Sequence, residues 1–334
     1  MPGPATDPTT TRGEPALLAA ARAGDDEAFV RLTAPHRRAL HVHCYRMLGS
    51  VHDADDALQE TLLRAWRGLH GYEPRAPLGA WLHRIATNVA LRTIEQRQRH
   101  RAAPLDAHLE PYADRLLDEG RGPDEEAVAR EGIGLAFVAA MQVLPARQRA
   151  VLVLRDVLGW PARDVADTLG DSVAAVNSAL QRARGRLDRE REAGSLVRAH
   201  APAGGAVERR VMRLFQDAWA AVDLDRIVAL LEDDALMTMP PEAMRFDGAA
   251  AIGRFFGTVP LDGRLDRIAL VERRANGQPA LAAYADAEGD GAARAYGVMV
   301  FAVRGARIAG ITGFPRNEAL FDHLGLPLVL ERRP

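Results

Sequence analysis

Residues 173–187 combine small, amide and cationic side chains in an order that suits a DNA groove. Ala174 and Ala175 come first, amide-bearing residues follow, and arginines end the segment. Small residues allow a close approach to the groove, amides can hydrogen-bond base edges, and arginine binds phosphate. The predicted DNA contacts of this segment are Ser172, Ala175, Asn177, Ser178, Gln181, Arg182, Arg184 and Arg186.

Two short helices must position these side chains. The apolar residues recur at steps of three and four, which places them on one buried helix face: Val173, Val176, Leu180, Ala183 and Leu187. Gly170 is suited to end the preceding helix, and Ser172 is suited to cap the second. A helix–turn–helix fits this pattern, but a solvated hairpin of an ordinary helical bundle fits it as well.

Residues 53–66 carry a second pattern, DADDALQETLLRAW. The spacing predicts a helix whose inward face consists of Ala54, Leu58, Leu62 and Ala65. Asp53, Asp56 and Glu60 line another face. Because carboxylates repel phosphates, this face suits a basic protein surface or plain solvent, and the pattern leaves both open.

Residues 81–99 carry a third pattern, an aromatic and basic helix. Helical spacing places Trp81, Ile85, Val89 and Arg92 near one another, with Arg84 and Asn88 on a neighbouring strip. An aromatic ring beside Arg and Asn side chains could capture unstacked bases. The alternative is that Trp81 is a core residue.

Length and composition limit the other possibilities. A chain of 334 residues predicts two or three domains. Cys44 is the single cysteine, so the chain has no internal disulfide and no thiolate-rich zinc site, and we expect a reducing, cytoplasmic setting. All 43 basic residues are arginine, which excludes a Walker-type phosphate loop and a Schiff-base lysine. The sequence predicts neither a membrane span nor a signal segment.

Charge is unevenly distributed along the chain. Residues 81–101 contain five Arg and one Glu, and residues 181–191 contain five Arg and two acidic residues. Between them, residues 106–131 contain nine acidic residues and three Arg, and prolines and glycines interrupt regular structure, which predicts a linker. Residues 1–206 balance 27 Arg against 27 acidic residues, so we expect weak binding to free DNA and a protein partner that brings the chain to it.

The C-terminal part has a different character. Val207, Val211, Leu214, Ala218 and Val222 predict one amphipathic helix, and residues 224–231 a second. Short β-prone segments follow around residues 235–239, 265–273, 280–285, 294–303 and 307–313, which indicates an α+β domain with a curved antiparallel sheet.

The segments LLEDDALMTMPP and FDGAAAIGRFF give this C-terminal layout a resemblance to the SnoaL-like cone. Such a cone could hold a small ligand, and an enzyme of this fold would need an acid or base in the cavity. The polar and apolar candidates for a cavity are His323, Asp286, Tyr284, Tyr296, Met237, Met239 and Trp219. None of them is assigned as a catalyst, and no cofactor is expected.

The blocks HVHCYRMLGSVHDADDALQETLLRAWRGL, GYEPRAPLGAWLHRIATNVAL and LPARQRAVLVLRDVLGWPARDVADTLGDSVAAVNSALQRARGRL resemble extracytoplasmic-function sigma factors of the sigma-70 family. The resemblance covers about residues 25–192. It implies a non-enzymatic protein that binds core RNA polymerase at the largest-subunit clamp and the flap, together with duplex promoter DNA and a melted −10 strand. LEPYADRLLDE resembles the linker of the SigG-like subgroup, which carries an additional C-terminal domain.

The resemblance assigns roles residue by residue. It places polymerase contacts at Asp53, Asp55, Asp56, Gln59 and Glu60, and −10 contacts at Trp81, Arg84, Asn88 and Arg92. Residues 71–79 correspond to the loop that accepts a flipped base, and residues 172–186 to the helix that enters the −35 major groove. The alternatives are a stand-alone helix–turn–helix regulator and a SnoaL-like enzyme fused to a DNA-binding module. A metal site at HVHC, residues 41–44, is a further alternative to structural histidines.

The predicted domains are a disordered tail at 1–16, sigma domain 2 at 17–101 and an acidic linker at 102–130. Sigma domain 4 follows at 131–192, a hinge at 193–206 and a regulatory SnoaL-like domain at 207–334. The predicted fold class is therefore two all-α sigma domains followed by an α+β domain.

Overall fold

The computed structural model describes residues 13–99, 109–116, 134–192, 205–240, 242 and 244–331. The described residues form two compact units. Residues 13–99 and 141–189 belong to the first unit, and residues 109–116, 134–140 and 190–331 belong to the second. Most of the predicted tail, linker and hinge lies outside the described residues.

The first unit begins with four helices, α1 (Glu14–Arg22), α2 (Asp26–Leu48), α3 (Val51–Gly68) and α4 (Leu78–Arg99). Asp25 caps α2 by accepting a hydrogen bond from the Ala28 amide, and Ser50 caps α3 by accepting one from the Asp53 amide. Gly49 separates these helices in a left-handed conformation, with φ of 78°, which suits glycine. The chain therefore turns sharply from α2 into α3.

The buried face of α3 differs from the predicted one. Ala54 and Ala65 are buried as expected, but Ala57 and Thr61 complete that face, while Leu58 and Leu62 are only half-buried. Small residues at the contact let α3 approach its neighbours closely. The larger leucines consequently lie towards the edge of the interface.

The rest of the first unit consists of α6 (Ala146–Leu152), a π turn at Val153–Val157, α7 (Ala162–Leu169) and α8 (Val173–Glu192). Gly170 ends α7 with φ of 65°, and Ser172 caps α8 by accepting a hydrogen bond from the Ala175 amide at 3.1 Å. The predicted helix–turn–helix and both of its boundary residues are confirmed. Helix α5 (Leu135–Gln142) precedes this part of the chain.

A buried arginine joins the helix–turn–helix part to the first four helices. The Arg149 guanidinium donates to the Met47 carbonyl at the end of α2. It also donates to the Gln142 carbonyl at 2.9 Å and to the Leu144 carbonyl at 3.3 Å. Several carbonyl acceptors compensate for the desolvation of this charge, so α6 is fixed against α2.

The second unit contains α9 (Ala206–Ala220), α10 (Leu224–Leu230), α11 (Ala249–Thr258) and α12 (Glu318–His323). Its strands are β1 (Leu231–Met239), β2 (Met244–Asp247), β3 (Ile268–Ala275), β4 (Gln278–Ala285), β5 (Ala292–Arg304), β6 (Arg307–Pro315) and β7 (Val329–Glu331). Within the described residues they form one sheet in the order β2-β1-β6-β5-β4-β3, with β7 also paired to β5. The predicted α+β class is confirmed, and β2 and β7 are additional to the predicted strands.

The sheet is mixed and not antiparallel throughout as predicted, because β1 and β6 run parallel while the other pairs are antiparallel. Register shifts interrupt the β1–β6, β4–β5 and β5–β6 pairings. An extra residue in one strand bends the sheet and increases its twist. These irregularities curve the sheet over the helices.

Aromatic side chains fill the space between the sheet and its helices. Phe215 of α9 is fully buried, and its ring centre lies 5.0 Å from that of Phe301 on β5. The predicted buried face of α9 was partly wrong, because Val207 and Val222 are 53% and 38% exposed. The actual face includes Met212, Phe215 and Trp219 beside Val211 and Ala218.

No helix among the described residues combines the length and apolar character needed to cross a membrane.

Candidate nucleic-acid interfaces

Helix α8 presents a solvent-exposed polar face opposite its packed one. Val176, Leu180, Ala183 and Leu187 are buried, as the sequence predicts, whereas Val173 is 43% exposed. Val173 is the first residue of the helix. All of the predicted DNA contacts are exposed: Ser172, Ala175, Asn177, Ser178, Gln181, Arg182, Arg184 and Arg186.

Two ion pairs hold the helix–turn–helix in shape. Arg184 donates to both carboxylate oxygens of Asp156, at 2.9 and 2.7 Å. The hydrogen bonds that Arg184 donates to Asp156 raise the pKa of Arg184. Arg147 bonds both the Leu169 carbonyl and Asp171 in the turn, at 2.6 and 2.7 Å. Arg184 is therefore oriented by Asp156 before any DNA is bound.

A cleft of about 480 Å³, here named the α3–α4 cleft, lies between α3 and α4. Trp81 forms part of its wall, with its ring centre 5.0 Å from that of Tyr72. A side chain at Gly68 would come within 3.7 Å of the indole, so glycine leaves the ring accessible. The lining residues are Arg64, Gly68, Gly71, Trp81, Ile85, Asn88 and Arg92.

The cleft brings together most of the predicted −10 residues. Trp81, Asn88 and Arg92 line it, whereas Arg84 is exposed on α4 and does not line it. Val89 was expected beside Trp81 but is buried in the helix bundle. An indole face can stack on a base, an amide can hydrogen-bond a base edge, and Arg can bind phosphate. The arrangement suits one unpaired nucleotide.

The sequence analysis did not identify Arg64 as a cleft residue. It lies on α3, four residues after Glu60, and its Nε lies 2.6 Å from the Glu60 carboxylate. The sequence carries no signal for this contribution, because it depends on the packing of α3 against α4.

The predicted polymerase-binding residues lie on α3 in two groups. Asp56 and Gln59 are exposed. Asp53 and Glu60 form ion pairs within the first unit, with Arg97 and Arg64 respectively, and the Asp55 carboxylate lies 3.1 Å from His41 Nε2. These contacts leave all three carboxylates partly exposed, at 24%, 46% and 41% of the side chain.

The HVHC segment makes structural contacts. His41 Nε2 lies 3.1 Å from the Asp55 carboxylate, and His43 Nε2 lies 2.9 Å from the Thr87 hydroxyl. Cys44 is buried, which raises the pKa of its thiol to about 12. Within the described ranges, no group of three metal-ligating side chains is arranged to hold an ion.

The buried His43 and the half-buried His83, whose ring centres lie 5.3 Å apart, should make the first unit sensitive to acid. Burial is the main cause that lowers the pKa of each ring, well below the usual value for His43. Arg46 lowers both further, whereas the Gly79 carbonyl raises the pKa of His83. Below about pH 6.5 these two histidines bind protons in the unfolded chain but stay neutral in the folded unit. The free energy of unfolding should therefore decrease as pH falls.

Hydrogen-exchange protection of α2 and α4, measured at pH 7.5 and pH 5.5 with correction for intrinsic exchange, would report this loss. His83→Gln should weaken the pH dependence. His70→Gln, at an exposed position, is the matched control and should retain it. Equal protection at both pH values in the wild-type protein would contradict the prediction.

Residues 109–116, here named the docked segment, are bound to the second unit, which the sequence analysis did not predict. Asn276 and Gly277 form the two-residue turn between β3 and β4, with φ of 58° and 71°. The Tyr112 amide donates to the Asn276 side-chain oxygen, and the Asn276 amide donates to the Tyr112 carbonyl, both at 2.8 Å. Ala113 continues this contact as an antiparallel bridge to Ala275.

Buried charge reinforces the docked segment. The Asp114 carboxylate accepts a hydrogen bond from the Gly277 amide at 2.8 Å and lies 3.4 Å from the Arg274 guanidinium. Arg274 also bonds Glu208 of α9 at 2.7 Å. The two carboxylate side chains are only 8% and 4% exposed. Arg274 therefore pairs with two buried acids, one on the docked segment and one on α9, and connects them.

The second unit also contains an open cleft of about 900 Å³. Trp219 and Asp286, two of the predicted cavity residues, both line it. Other candidates have structural roles or lie elsewhere. The Tyr284 hydroxyl donates to the Pro327 carbonyl at 2.8 Å, Tyr296 is 38% exposed, and the His323 carbonyl accepts a bond from Arg115.

Comparison with known proteins identifies the family. The family model Sigma-70 region 2 matches residues 32–100, and the model Sigma-70, region 4 matches residues 134–187. The ECF RNA polymerase sigma factor SigG of Mycobacterium tuberculosis strain H37Rv is 40% identical over 329 residues, covering 92% of this chain and 85% of the relative. The protein belongs to the extracytoplasmic-function sigma factors. The predicted family is thus confirmed.

Two further comparisons show how the resemblance is distributed. The sigma factor SigM of the same strain is 36% identical over 178 residues, covering 53% of this chain and 84% of the relative. The crystal structure of the Mycobacterium tuberculosis sigma factor SigJ has a TM-score of 0.64 and 24% identity, covering 89% of this chain and all of that chain. The SigG and SigJ matches extend beyond the two sigma regions, so the C-terminal unit is included in the shared fold.

Proposed function

We propose that this sigma factor binds core RNA polymerase and directs promoter-specific transcription initiation, and therefore acts in the cytoplasm. The observation that carries this proposal is the α3–α4 cleft, in which an indole, an amide and a guanidinium from α4 line one small space. Catalysis belongs to the polymerase, and no catalytic residue or cofactor is proposed for this chain. We propose residues 17–101 as sigma domain 2 and residues 131–192 as sigma domain 4.

The −10 element is recognised as a melted strand. Trp81 stacks on an unpaired base, Asn88 hydrogen-bonds its edge, and Arg92 binds an adjacent phosphate. The loop at residues 71–79 borders the cleft and is restrained by the bond from the Tyr72 hydroxyl to the Ala76 carbonyl at 2.8 Å. Arg84 lies outside the cleft and would contact only the flanking backbone.

The −35 element is recognised as duplex DNA by α8. Its exposed face carries Asn177 and Gln181 for base edges and three arginines for phosphates. The cap at Ser172 and the pair between Arg184 and Asp156 support this face in a fixed conformation. Ala175 allows close approach to the groove.

The polymerase contacts lie on α3. Asp56 and Gln59 are exposed there, and the partly exposed carboxylates of Asp53, Asp55 and Glu60 continue the same acidic surface. This surface suits a basic patch on the clamp of the largest polymerase subunit, because complementary charge directs encounter and fixes orientation.

The C-terminal unit, proposed as the regulatory domain at residues 207–334, modulates activity through the chain that connects the two sigma domains. The docked segment lies within the predicted linker at residues 102–130, and it is held by backbone bonds and a buried ion pair. While the docked segment is bound to the C-terminal unit, this part of the linker cannot extend freely. Its binding therefore limits how far the linker between the two sigma domains can extend. The ligand, if any, of the open cleft in this unit is left unassigned.

Run-off transcription tests the proposed function directly. Core polymerase with the full chain should give defined start sites on promoters selected from a random pool, and core alone should not. Gln181→Ala should lower transcript yield on the selected promoters by about 5- to 150-fold, because one good base contact contributes about 1–3 kcal/mol of discrimination.

Gln96→Ala, at an exposed amide of α4 that does not line the cleft and lies outside the predicted DNA contacts, is the matched control and should leave the yield unchanged. Absence of defined starts with the wild-type chain would overturn the proposed function.

A further inference from the structure

The turn between β3 and β4 contains a pair of residues that can react with each other. Asn276 is followed by Gly277, and of the four asparagines in the chain only this one precedes a glycine. Glycine has no side chain to shield its amide nitrogen, so that nitrogen can attack the side-chain carbon of the preceding asparagine. This turn is therefore the position at which the chain is most prone to lose a side-chain amide.

The docked segment binds both of the reacting groups. The Gly277 amide contains the attacking nitrogen, and it donates a hydrogen bond to the Asp114 carboxylate at 2.8 Å. The Asn276 side-chain oxygen is attached to the carbon that would be attacked, and it accepts a hydrogen bond from the Tyr112 amide at 2.8 Å. Both partners belong to the docked segment, so both hydrogen bonds are lost when the segment leaves.

These contacts oppose the reaction. Attack requires the Gly277 amide to give up its proton, and the negative charge of the Asp114 carboxylate beside it disfavours the amide anion. Asn276 is only 1% exposed, so hydroxide and water have little access to the turn. The hydrogen bond from Tyr112 also restrains the asparagine side chain. The turn is consequently protected while the segment is docked.

We propose that Asn276 and Gly277 form a self-modification site whose reaction is controlled by the docked segment. When the segment leaves, the Gly277 nitrogen attacks the Asn276 side-chain carbon Cγ, the bond between Cγ and Nδ2 breaks, and ammonia departs with the proton of the Gly277 amide. Water then opens the succinimide ring at either carbonyl carbon, which gives aspartate or isoaspartate at position 276. This inference goes beyond the proposed function, because the chemistry requires neither polymerase nor DNA.

The isoaspartate product should prevent the docked segment from binding again. In isoaspartate the main chain runs through the former side chain, which adds one methylene group between positions 276 and 277. The register of a two-residue turn depends on its length. The amides at these two positions can then no longer match the Tyr112 carbonyl and the Asp114 carboxylate at once. Release of the docked segment therefore becomes permanent.

Peptide mapping of the full chain by mass spectrometry tests the reaction. Samples are incubated at mildly alkaline pH, and the mass gain that accompanies conversion of an amide to a carboxylic acid is followed in the peptide that contains Asn276. Asp114→Ala should speed this conversion by about 10- to 150-fold, the factor for loss of one buried hydrogen bond to a charged group, because the reaction follows the released population. This variant leaves Arg274 paired with Glu208, so α9 keeps its buried ion pair.

Three controls make the result specific to the docked segment. Asp233→Ala removes an exposed acid of the same unit whose carboxylate lies 3.7 Å from Arg307, and it should convert at the wild-type rate. Asn276→Gln should show little conversion, because its reaction would require a six-membered ring. Asn177 is the internal reference, since it is exposed on α8 and is followed by serine, and its conversion should be equal in all samples.

The modified wild-type chain tests the permanent release. Conversion adds a negative charge, so modified and unmodified chains can be separated by ion exchange after prolonged incubation. The Tyr112 amide should exchange rapidly with deuterium in chains that carry isoaspartate and slowly in unmodified chains. Slow exchange in both would overturn the permanent release. Equal conversion of Asn276 in the wild-type and Asp114→Ala chains, or no conversion in either, would overturn control by the docked segment.

Discussion

Trp81→Ala should reduce capture of the melted −10 strand by the holoenzyme by about 5- to 150-fold, because stacking of a base on an aromatic side chain contributes about 1–3 kcal/mol. The indole lines the α3–α4 cleft and is half-buried against Tyr72. Removing it leaves the polar residues of the cleft without a platform for the base. Open-complex formation, measured with a fluorescent base in the −10 region, should fall by the same factor.

Two further variants make this result specific to stacking. Trp81→Phe keeps an aromatic face and should retain most of the capture. Trp66→Ala is the matched control, because Trp66 is also half-buried, packs against Phe29 at 5.0 Å between ring centres, and does not line the cleft. Equal losses for Trp81→Ala and Trp66→Ala would indicate a general effect of helix packing and contradict the stacking role.

Asn88→Ala extends the same test to the amide. We expect it to weaken open-complex formation while the affinity for core polymerase is unchanged, because Asn88 lies in the cleft on α4 and the proposed polymerase surface lies on α3. Simultaneous loss of polymerase affinity would count against this assignment.

Local patterns predicted the helix–turn–helix and most of its exposed residues. Gly170 ends α7 and Ser172 caps α8, both through contacts with residues nearby in sequence. Helical periodicity alone predicts the buried residues of α8: Val176, Leu180, Ala183 and Leu187. The errors occurred where burial depends on a neighbouring element. Val173, the first residue of α8, is exposed, and Thr61 is buried because α3 packs closely on its small-residue face.

The cleft could be predicted only in part. Trp81 and Asn88 lie seven residues apart on one helix, so periodicity places them together. Arg64 comes from a different helix, and its contribution depends on how α3 and α4 are packed. The spacing of residues within one helix does not predict how α3 and α4 pack against each other.

The binding of the docked segment to the second unit could not be predicted from the sequence, because its partners lie far away along the chain. The Asn-Gly pair at 276–277 is a recognisable hairpin signal, but its hydrogen-bond partner Tyr112 lies 164 residues earlier. The linker composition, rich in acid and interrupted by proline and glycine, predicted a linker and gave no sign of this contact. Asp114 is instead buried beside Arg274, because a specific cation compensates for the desolvation of its carboxylate.

Arg274→Ala should release the docked segment from the C-terminal unit. The substitution leaves Asp114 and Glu208 buried without their shared cation, and losing one partner of a buried pair costs about 3–5 kcal/mol. Since Arg274 is 33% exposed, we expect about 2–4 kcal/mol, which corresponds to exchange of the Tyr112 amide about 30- to 800-fold faster. Hydrogen exchange of the intact full chain measures this amide, whose acceptor is Asn276.

The control is Arg307→Ala in the same unit, where the guanidinium lies 3.7 Å from Asp233 and both side chains are exposed. It should leave exchange at Tyr112 unchanged, because an exposed pair contributes little to stability. If docking of the linker is how the C-terminal unit modulates the sigma factor, run-off yield from a fixed promoter should change with Arg274→Ala and not with Arg307→Ala. If the Tyr112 amide of the Arg274 variant exchanges rapidly but the run-off yield is unchanged, the docked segment does not regulate the sigma factor. If this amide still exchanges slowly, Arg274 does not anchor the docked segment.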